Sequence, residues 1–428
     1  MKFILKTIIN IAINKTILWP FYYPITYLMK EVKTSNISAS NGITILALNQ
    51  SRFRGDLEVL VESGFKVYKM PYRWQTRVFY AYKDIELRDD FLNPTIGSSI
   101  GIDRTRLRKY LSHLLRKVFR KKKIDCVISA GLFYNQDFDW GAATINTGCP
   151  YVVFHRENLV ASKQRIELYK KAATKLKHIG FKGSAVIFQN SIMKNIFDKY
   201  SGIDPRNIYS FGSLRMDRYL SRIDDLNHKF RHNRITLFSF TRFNGLPSSG
   251  INISMLYESV HTKFIELAIE HPDIEFVIKH KDVGNRDLLN LLDKNRAYNV
   301  KNLKIYGDDN SAQDLILSSD VVSSFCTTVL LEAAVARKPI IFPLFYEAND
   351  LKRNNSLCFD DICKLCTIVN SDIDYKHAIM HEYQNIDTTE IDMPYRVEQF
   401  EKYVSSINKD STRKYTELLK SLTIDRKL

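Results

Sequence analysis

The segment Asp320–Pro343, DVVSSFCTTVLLEAAVARKPIIFP, decides how the rest of the chain is read. It patterns as a short apolar strand, a small-hydroxyl loop, a helix and a second buried strand. Ser323, Ser324, Thr327 and Thr328 lie in or beside the loop, and the spacing predicts a helix that opens near Thr327 and ends at Lys338-Pro339. Hydroxyls and backbone N–H groups at a helix start suit a phosphate or diphosphate. Glu332 follows one turn later, where a carboxylate is placed to accept from ribose hydroxyls, and Ala333, Ala334 and Ala336 allow close packing. The same spacing also describes an ordinary strand–helix–strand unit with a Ser/Thr cap.

Working upstream, RITLFSF from Arg234, a helix Leu256–His271, IEFVIKH, a helix Arg286–Lys294, NLKIYG and a helix Ala312–Ser318 form an alternating series. Alternation of this kind predicts a parallel sheet covered on both faces. An earlier series starts with ITILALN (43–49), the helical GDLEVLVESG and KVYKMP, and continues through IDCVISAG, CPYVVFHREN, SAVIFQN and NIYSFGS. Tyr72–Ser99 reads as irregular and aromatic. A chain of 428 residues exceeds one core and suits two domains. The expected fold class is α/β, with an N-terminal anchor and linker over 1–41, a Rossmann-like acceptor domain over 42–225, a nucleotide-sugar-binding domain over 234–394 and a helical tail over 395–428.

The residues Ser324, Thr327, Thr328, Glu332, Ala333, Ala334, Lys338 and Pro339 resemble the nucleotide-binding end of GT-B glycosyltransferases of bacterial surface-carbohydrate (capsule and lipopolysaccharide) assembly. The resemblance is specific over roughly 234–345 and architectural before that. It implies two Rossmann-like domains facing a central cleft. It also implies a metal-independent enzyme, without a cofactor, that moves a sugar from a nucleotide sugar to a lipid-linked surface glycan. Sugar-nucleotide epimerases and polyol-phosphate transferases share much of the pattern, so epimerisation is the alternative. A non-catalytic module for anionic ligands on the same scaffold is a third reading, against which the hydroxyl loop and Glu332 argue.

Glycosyl transfer needs a base for the acceptor hydroxyl and positive charge or dipoles at the leaving phosphate. For the phosphate, Arg242 follows the first strand of the second domain and Lys279, His280 and Lys281 follow the second. His280 resembles the strand-end histidine of bacterial sialyl- and Kdo-type transferases, although Lys281 stands where those families commonly carry Pro. For the base, Glu157 in FHREN comes first and Asp139 in NQDFDWG second. Asp137 and Asp139 have the D-x-D spacing of metal-dependent transferases, in the wrong architectural context. FGSLRMDRY resembles a domain-ending element in which Gly212, Arg215 and Asp217 shape a hinge, and Asp308-Asp309 reads as a helix cap.

A net charge of +16 points to an anionic partner. From Arg104 to Lys123, ten of twenty residues are Lys or Arg and none is acidic, while Leu107, Leu111, Leu114, Leu115, Val118 and Phe119 form one helical face. Arg116, Lys117, Arg120 and Lys121 are therefore candidates for an anionic membrane surface or a lipid-linked phosphate, with Trp19 and nearby tyrosines as an interfacial anchor. The alternative is a solvated face over a core-packed stripe. Nucleic acid is not expected, since no reader motif accompanies the charge. The uncharged run Thr16–Met29 is shorter than a bilayer span and carries two prolines. The expected location is cytoplasmic, peripheral on the inner face of the plasma membrane. Six cysteines in mostly apolar segments fit a reducing compartment, and Cys358, Cys363 and Cys366 contain a C-x-x-C but lack a fourth ligand at zinc-finger spacing.

Overall fold

A computed structural model describes residues 22–34, 42–81, 99–225, 231–242, 252–280, 285–307, 310–355, 357–360, 362, 364–388 and 390–424. Two compact units emerge. The first comprises Met1–Asn158, Tyr169–Asp217 and Asn408–Leu428, the second Leu159–Leu168 and Arg218–Ile407. Trp19, Lys281, Asp308, Asp309 and Cys363 lie outside the described residues. No described helix is long and apolar enough to cross a membrane.

In chain order the first part of the molecule runs α1 (Tyr22–Leu28), β1 (Lys30–Glu31), β2 (Thr44–Ala47), α2 (Asp56–Glu62), β3 (Lys66–Lys69), α3 (Tyr72–Ala81) and α4 (Ser99–Lys122). Then come β4 (Cys126–Ser129), α5 (Asn135–Ile145), β5 (Tyr151–Phe154), α6 (Lys163–Ile179), β6 (Ala185–Phe188), α7 (Ser191–Tyr200), β7 (Ile208–Ser210) and α8 (Met216–Asp224). The strands form one sheet in the order β1-β3-β2-β4-β5-β6-β7. Every pairing is parallel except β1 with β3. The core strands β2, β4, β5 and β6 are buried throughout, as expected of a parallel sheet covered on both faces. Strand order reverses between β2 and β4, which makes that point the crevice of the unit.

The basic helix α4 shows how the two readings of its sequence divide. Leu107, Leu111, Leu114, Leu115, Val118 and Phe119 are all buried. Each such side chain contributes about 1.5–3 kcal/mol by leaving water. Arg116, Lys117, Arg120 and Lys121 stay exposed on the opposite face. The apolar stripe is therefore committed to the core of this unit, and only the basic face remains for a partner. The start of the segment read as irregular, Tyr72–Ala81, is helical. In α3, Gln75 and Val78 are buried one turn apart, just after Pro71. NQDFDWG forms the first turns of α5, which buries both Asp137 and Asp139.

The second unit carries β8 (Arg234–Phe238), α9 (Ser254–Glu270), β9 (Glu275–Lys279), α10 (Asn285–Lys294), β10 (Leu303–Tyr306), α11 (Ala312–Leu317) and β11 (Val321–Ser324). It continues with α12 (Val329–Val335), β12 (Ile340–Pro343), α13 (Glu347–Arg353), β13 (Thr367–Val369), α14 (Asp372–Gln384) and α15 (Met393–Tyr403). Its sheet is parallel throughout, in the order β10-β9-β8-β11-β12-β13. Arg396 of α15 is buried and donates to the carbonyls of Lys338 (2.7 Å) and Leu365 (2.8 Å), which holds α15 to this unit. The last helix, α16 (Ser411–Ile424), belongs to the first unit. There the Tyr415 ring packs on Phe154 at 4.7 Å, and its hydroxyl donates to the Gly212 carbonyl at 3.1 Å. The α/β class and the two Rossmann-like, doubly wound sheets expected from the sequence are both present.

Asp139 ties α5 to α4. Its Oδ1 accepts from Arg104 Nε at 3.1 Å and from Arg108 Nε at 2.5 Å. Asp139 and Arg104 are buried, so each charge depends on the other for its solvation. Asp139→Ala is expected to destabilise the protein by about 3 kcal/mol, at the low end for a broken buried pair because Arg108 keeps access to water. Equilibrium urea unfolding measures this. A loss below about 1 kcal/mol, the range of a surface pair, contradicts the assignment.

Candidate functional site

In an open α/β sheet the crevice for a ligand lies beyond the carboxyl ends of the strands, where strand order reverses. In the second unit that point is between β8 and β11. Crossovers leave toward opposite faces there, and the loops after the two strands diverge. The loop after β8 supplies Ser239 to Arg242, and the loop after β11 supplies Phe325 to Thr328. The Phe240 and Phe325 rings meet at 5.4 Å, so the two loops share an apolar floor.

Ser324 closes the strand ends rather than opening toward a ligand. It is buried, and its hydroxyl donates to the Phe238 carbonyl at 2.8 Å. Ser323 is buried as well and shares a hydrogen bond of 2.7 Å with the Tyr375 hydroxyl. Cys326 adopts φ 49°, a left-handed turn that swings the chain out of the strand. Thr327 and Thr328 are partly exposed. The Thr327 hydroxyl oxygen accepts weakly from Val329 N at 3.5 Å, and α12 starts only at Val329. The helix predicted over Thr327–Arg337 is thus the seven-residue Val329–Val335.

Glu332 is buried on α12. Its Oε2 accepts from Gln313 Nε2 of α11 at 2.5 Å, and its backbone carbonyl accepts from the Tyr219 hydroxyl at 2.8 Å. The carboxylate is thereby tied to α11 through Gln313, and the main chain at Glu332 to Tyr219. Arg242 sits between Glu258 (3.2 Å) and Asp287 (3.6 Å), with its guanidinium 5.5 Å over the Tyr257 ring. A phosphate reaching it competes with two carboxylates. Lys279 donates to the Gly307 carbonyl and to the His280 carbonyl at 3.3 Å. The His280 backbone N–H donates to Tyr306 O at 2.9 Å, and its side chain is largely buried.

Beside Arg242, Ser239 pairs with His261 Nε2 at 2.8 Å, while His261 Nδ1 lies 2.7 Å from the Tyr257 carbonyl. A carbonyl only accepts, so Nδ1 carries the proton and Nε2 accepts from the Ser239 hydroxyl. Burial pushes His261 down to about 4, which keeps this arrangement neutral.

The first unit holds a second polar cluster at its own switch point. Asp137 is buried and accepts from Gln75 Nε2 and from the Ser129 hydroxyl at 2.7 Å, and Gln75 Oε1 accepts from Asn49 N at 3.0 Å. Desolvation raises the Asp137 carboxyl to about 7, against the pull of those hydrogen bonds. Glu157 is exposed just past β5 and accepts from the Tyr134 hydroxyl at 3.2 Å. His155 points inward, with Nδ1 accepting from Leu132 N at 3.3 Å. Its ring lies among Phe133, Phe188 and Phe197, and burial pushes it down to about 4.

Of the two base candidates, Asp139 is engaged by two arginines, whereas Glu157 keeps water access. Arg116, Lys117, Arg120 and Lys121 line the solvent face of α4, with Lys121 3.9 Å from the centroid of the exposed Tyr27 ring. No group of three His, Cys, Asp or Glu able to hold a metal occurs among the described residues. Gln75 and Gln313 were not singled out by the sequence. The Ser311 cap, accepting from Asp314 N at 3.2 Å, marks the start of α11 in sequence, but nothing there names Glu332 as the partner of Gln313.

No family model and no curated protein matches the chain. Among solved structures, it is similar to the UDP-GlcNAc 2-epimerase of Neisseria meningitidis bound to UDP-GlcNAc, at 13% identity over 88% of this chain and 99% of that one, with a TM-score of 0.48. The UDP-GlcNAc 2-epimerase of Methanocaldococcus jannaschii gives 14% identity, 89% and 99% coverage and a TM-score of 0.49. Anabaena Alr3699/HepE in complex with UDP-glucose gives 12%, 89%, 100% and 0.43. These are likenesses of fold.

The Asp137 carboxyl makes a signed prediction. Its folded pKa of about 7 lies above the ordinary 3.8, so the stability it contributes is full below pH 3.8 and lost as pH rises through about 7. Asp137→Asn keeps the shape and removes the titration. The wild type is expected to lose roughly 2–4 kcal/mol relative to this variant between pH 4 and 8, read from urea midpoints. Histidines 155 and 261 act with the opposite sign and cancel in the comparison. Parallel pH profiles for the two proteins contradict the raised pKa.

Proposed function

We propose that this protein is a nucleotide-sugar enzyme whose second unit binds the nucleoside diphosphate at the β8/β11 switch point. The observation that carries the reading is Glu332, a buried carboxylate oriented by Gln313 one turn into the helix that follows the β11 loop. In this reading Glu332 receives the ribose hydroxyls, and the partly exposed Thr327 and Thr328 with the adjoining N–H groups receive the phosphates. Arg242 and His280, at the ends of the neighbouring strands, supply positive charge or hydrogen bonds without a metal.

For the reaction we place epimerisation of the bound sugar first. The apolar stripe of α4 is buried within its own unit, which fits the reading of this helix as a solvated basic face over a core-packed stripe. Epimerisation is also the activity named for two of the fold neighbours above. Transfer to a lipid-linked surface glycan at the inner membrane face is the second reading. It is supported by the exposed row Arg116, Lys117, Arg120 and Lys121.

Thermal shift against UDP, GDP, CMP and their sugars tests the binding. One nucleotide is expected to raise the melting temperature, by mass action equivalent to about 2.7 kcal/mol at a hundredfold excess over Kd. Glu332→Ala is expected to weaken that binding by about 1.5–3 kcal/mol, the range for a charged hydrogen bond. No stabilisation by any nucleotide, or full affinity in a folded Glu332→Ala, overturns the site.

Product analysis by proton NMR, with the nucleotide sugar that binds and no acceptor, then separates the reactions. Epimerisation gives a second nucleotide sugar in the presence of EDTA. Release of nucleoside diphosphate only on adding a glycan acceptor favours transfer, and dependence on added Mg²⁺ or Mn²⁺ contradicts the metal-independent reading.

A further inference from the structure

The β11 loop contains a second chemical feature, independent of whatever the loop binds. Cys326 occupies its left-handed turn, between Phe325 and Thr327, and is partly exposed. Cys358, distant in sequence, is buried against it. The Cys358 backbone N–H donates to Cys326 Sγ at 3.4 Å, and Cys358 Sγ lies 3.4 Å from the Cys326 carbonyl oxygen. The two residues are therefore in reciprocal contact, each sulfur against the other's backbone.

The surroundings hold Cys358 in place and favour its thiolate. Arg165, at the start of α6, donates from Nη2 to Cys358 Sγ at 3.1 Å. Two residues on, Asp360 ties the segment to the start of α6: Lys163 N donates to Asp360 Oδ2 at 3.0 Å, and Asp360 N donates to the carbonyl of Ala161, just before the helix, at 2.9 Å. Hydrogen bonding from the Cys326 thiol, with the Arg165 charge, lowers the Cys358 thiol to about 7, while burial raises that of Cys326. A thiolate beside a guanidinium and a second thiol is the arrangement that reacts with oxidants. Cys126, Cys149 and Cys366 are buried.

We propose that Cys326 and Cys358 are a reversible dithiol–disulfide pair, oxidised by hydrogen peroxide, that locks the loop carrying Thr327 and Thr328. The Cys358 thiolate attacks one oxygen of the peroxide as the O–O bond breaks, giving a sulfenic acid and, once the departing hydroxide takes up a proton, one water. The sulfur of the partly exposed Cys326 then attacks the sulfenic sulfur and gives up its proton. The S–S bond forms, the S–O bond breaks, and hydroxide leaves to be protonated to a second water. Two thiols and one peroxide thus become one disulfide and two waters, and a dithiol reductant reverses the change.

The test treats the full-length protein with hydrogen peroxide, blocks remaining thiols with N-ethylmaleimide and maps linkages by mass spectrometry, with hydrogen exchange measured in parallel. The expected product joins Cys326 to Cys358 and is reversed by dithiothreitol. Cys358→Ser is expected to give no disulfide at Cys326, and Arg165→Ala to slow its formation about tenfold. Amides 325–330 are expected to exchange at least several-fold more slowly in the oxidised wild type. Cys326 and Cys358 left unlinked, or linked to other cysteines, overturns the pair. Unchanged exchange in a protein with the mapped disulfide overturns the locking of the loop. Neither readout involves a nucleotide, so failure here is distinct from failure of the proposed activity.

Discussion

A single hydrogen bond sits at the point on which the second unit turns. Ser324, the last residue of β11, donates its buried hydroxyl to the carbonyl of Phe238, the last residue of β8. These are the two strands between which the sheet reverses its order, and their following loops must separate immediately. Fixing the last residues together keeps the divergence sharp, so the left-handed turn at Cys326 begins at a defined place. Everything beyond depends on that start: the exposure of Thr327 and Thr328, the register of α12, and hence the height at which Glu332 meets Gln313. A slip of one residue would reverse which strand side chains face each side of the sheet, and would displace the whole loop.

Several buried charges among the described residues are met by direct pairing or by carbonyl oxygens. Asp139 answers Arg104 and Arg108, Asp56 answers Arg156, and Arg396 donates to main-chain carbonyls at the base of α15. Pairs of this kind add little net stability over apolar packing, but they penalise any arrangement that separates them, and so favour one assembly of the helices. Asp137 departs from the pattern, since Gln75 and Ser129 offer hydrogen bonds but no charge. Its raised pKa is the consequence. The first unit thus holds a carboxyl that titrates near neutrality within two residues of one fully engaged in ion pairs, and the difference is set by what each faces across α5.

The strands were legible because a parallel sheet buried on both faces demands short runs of Val, Ile, Leu and Phe, and RITLF, EFVIK and IIFP are such runs. The basic helix was legible because Leu107 to Phe119 repeat at helical spacing over three turns. Helices α3 and α5 escaped notice because each is short and carries polar residues on its buried side, Gln75 in one and Asp137 and Asp139 in the other, which look like loop residues until arginines and amides from other segments surround them. The short strand β13, three residues long, left too little pattern to separate it from loop.

The sequence by itself determined the two α/β series, the hydroxyl loop with Glu332 behind it, and the separation of a basic from an apolar face on α4. These are local consequences of composition and period, which act within one segment. Tertiary structure alone decided which of the candidate groups remain available. Ser324 and Ser323 turned inward to hydrogen-bond Phe238 and Tyr375, Asp139 joined two arginines, Arg242 settled between Glu258 and Asp287, and Cys358 came to rest on Cys326 and Arg165. Each outcome is a contact between residues that share no local pattern. The energy of a buried polar or charged group depends on the partner that replaces its water, and that partner is supplied by the fold.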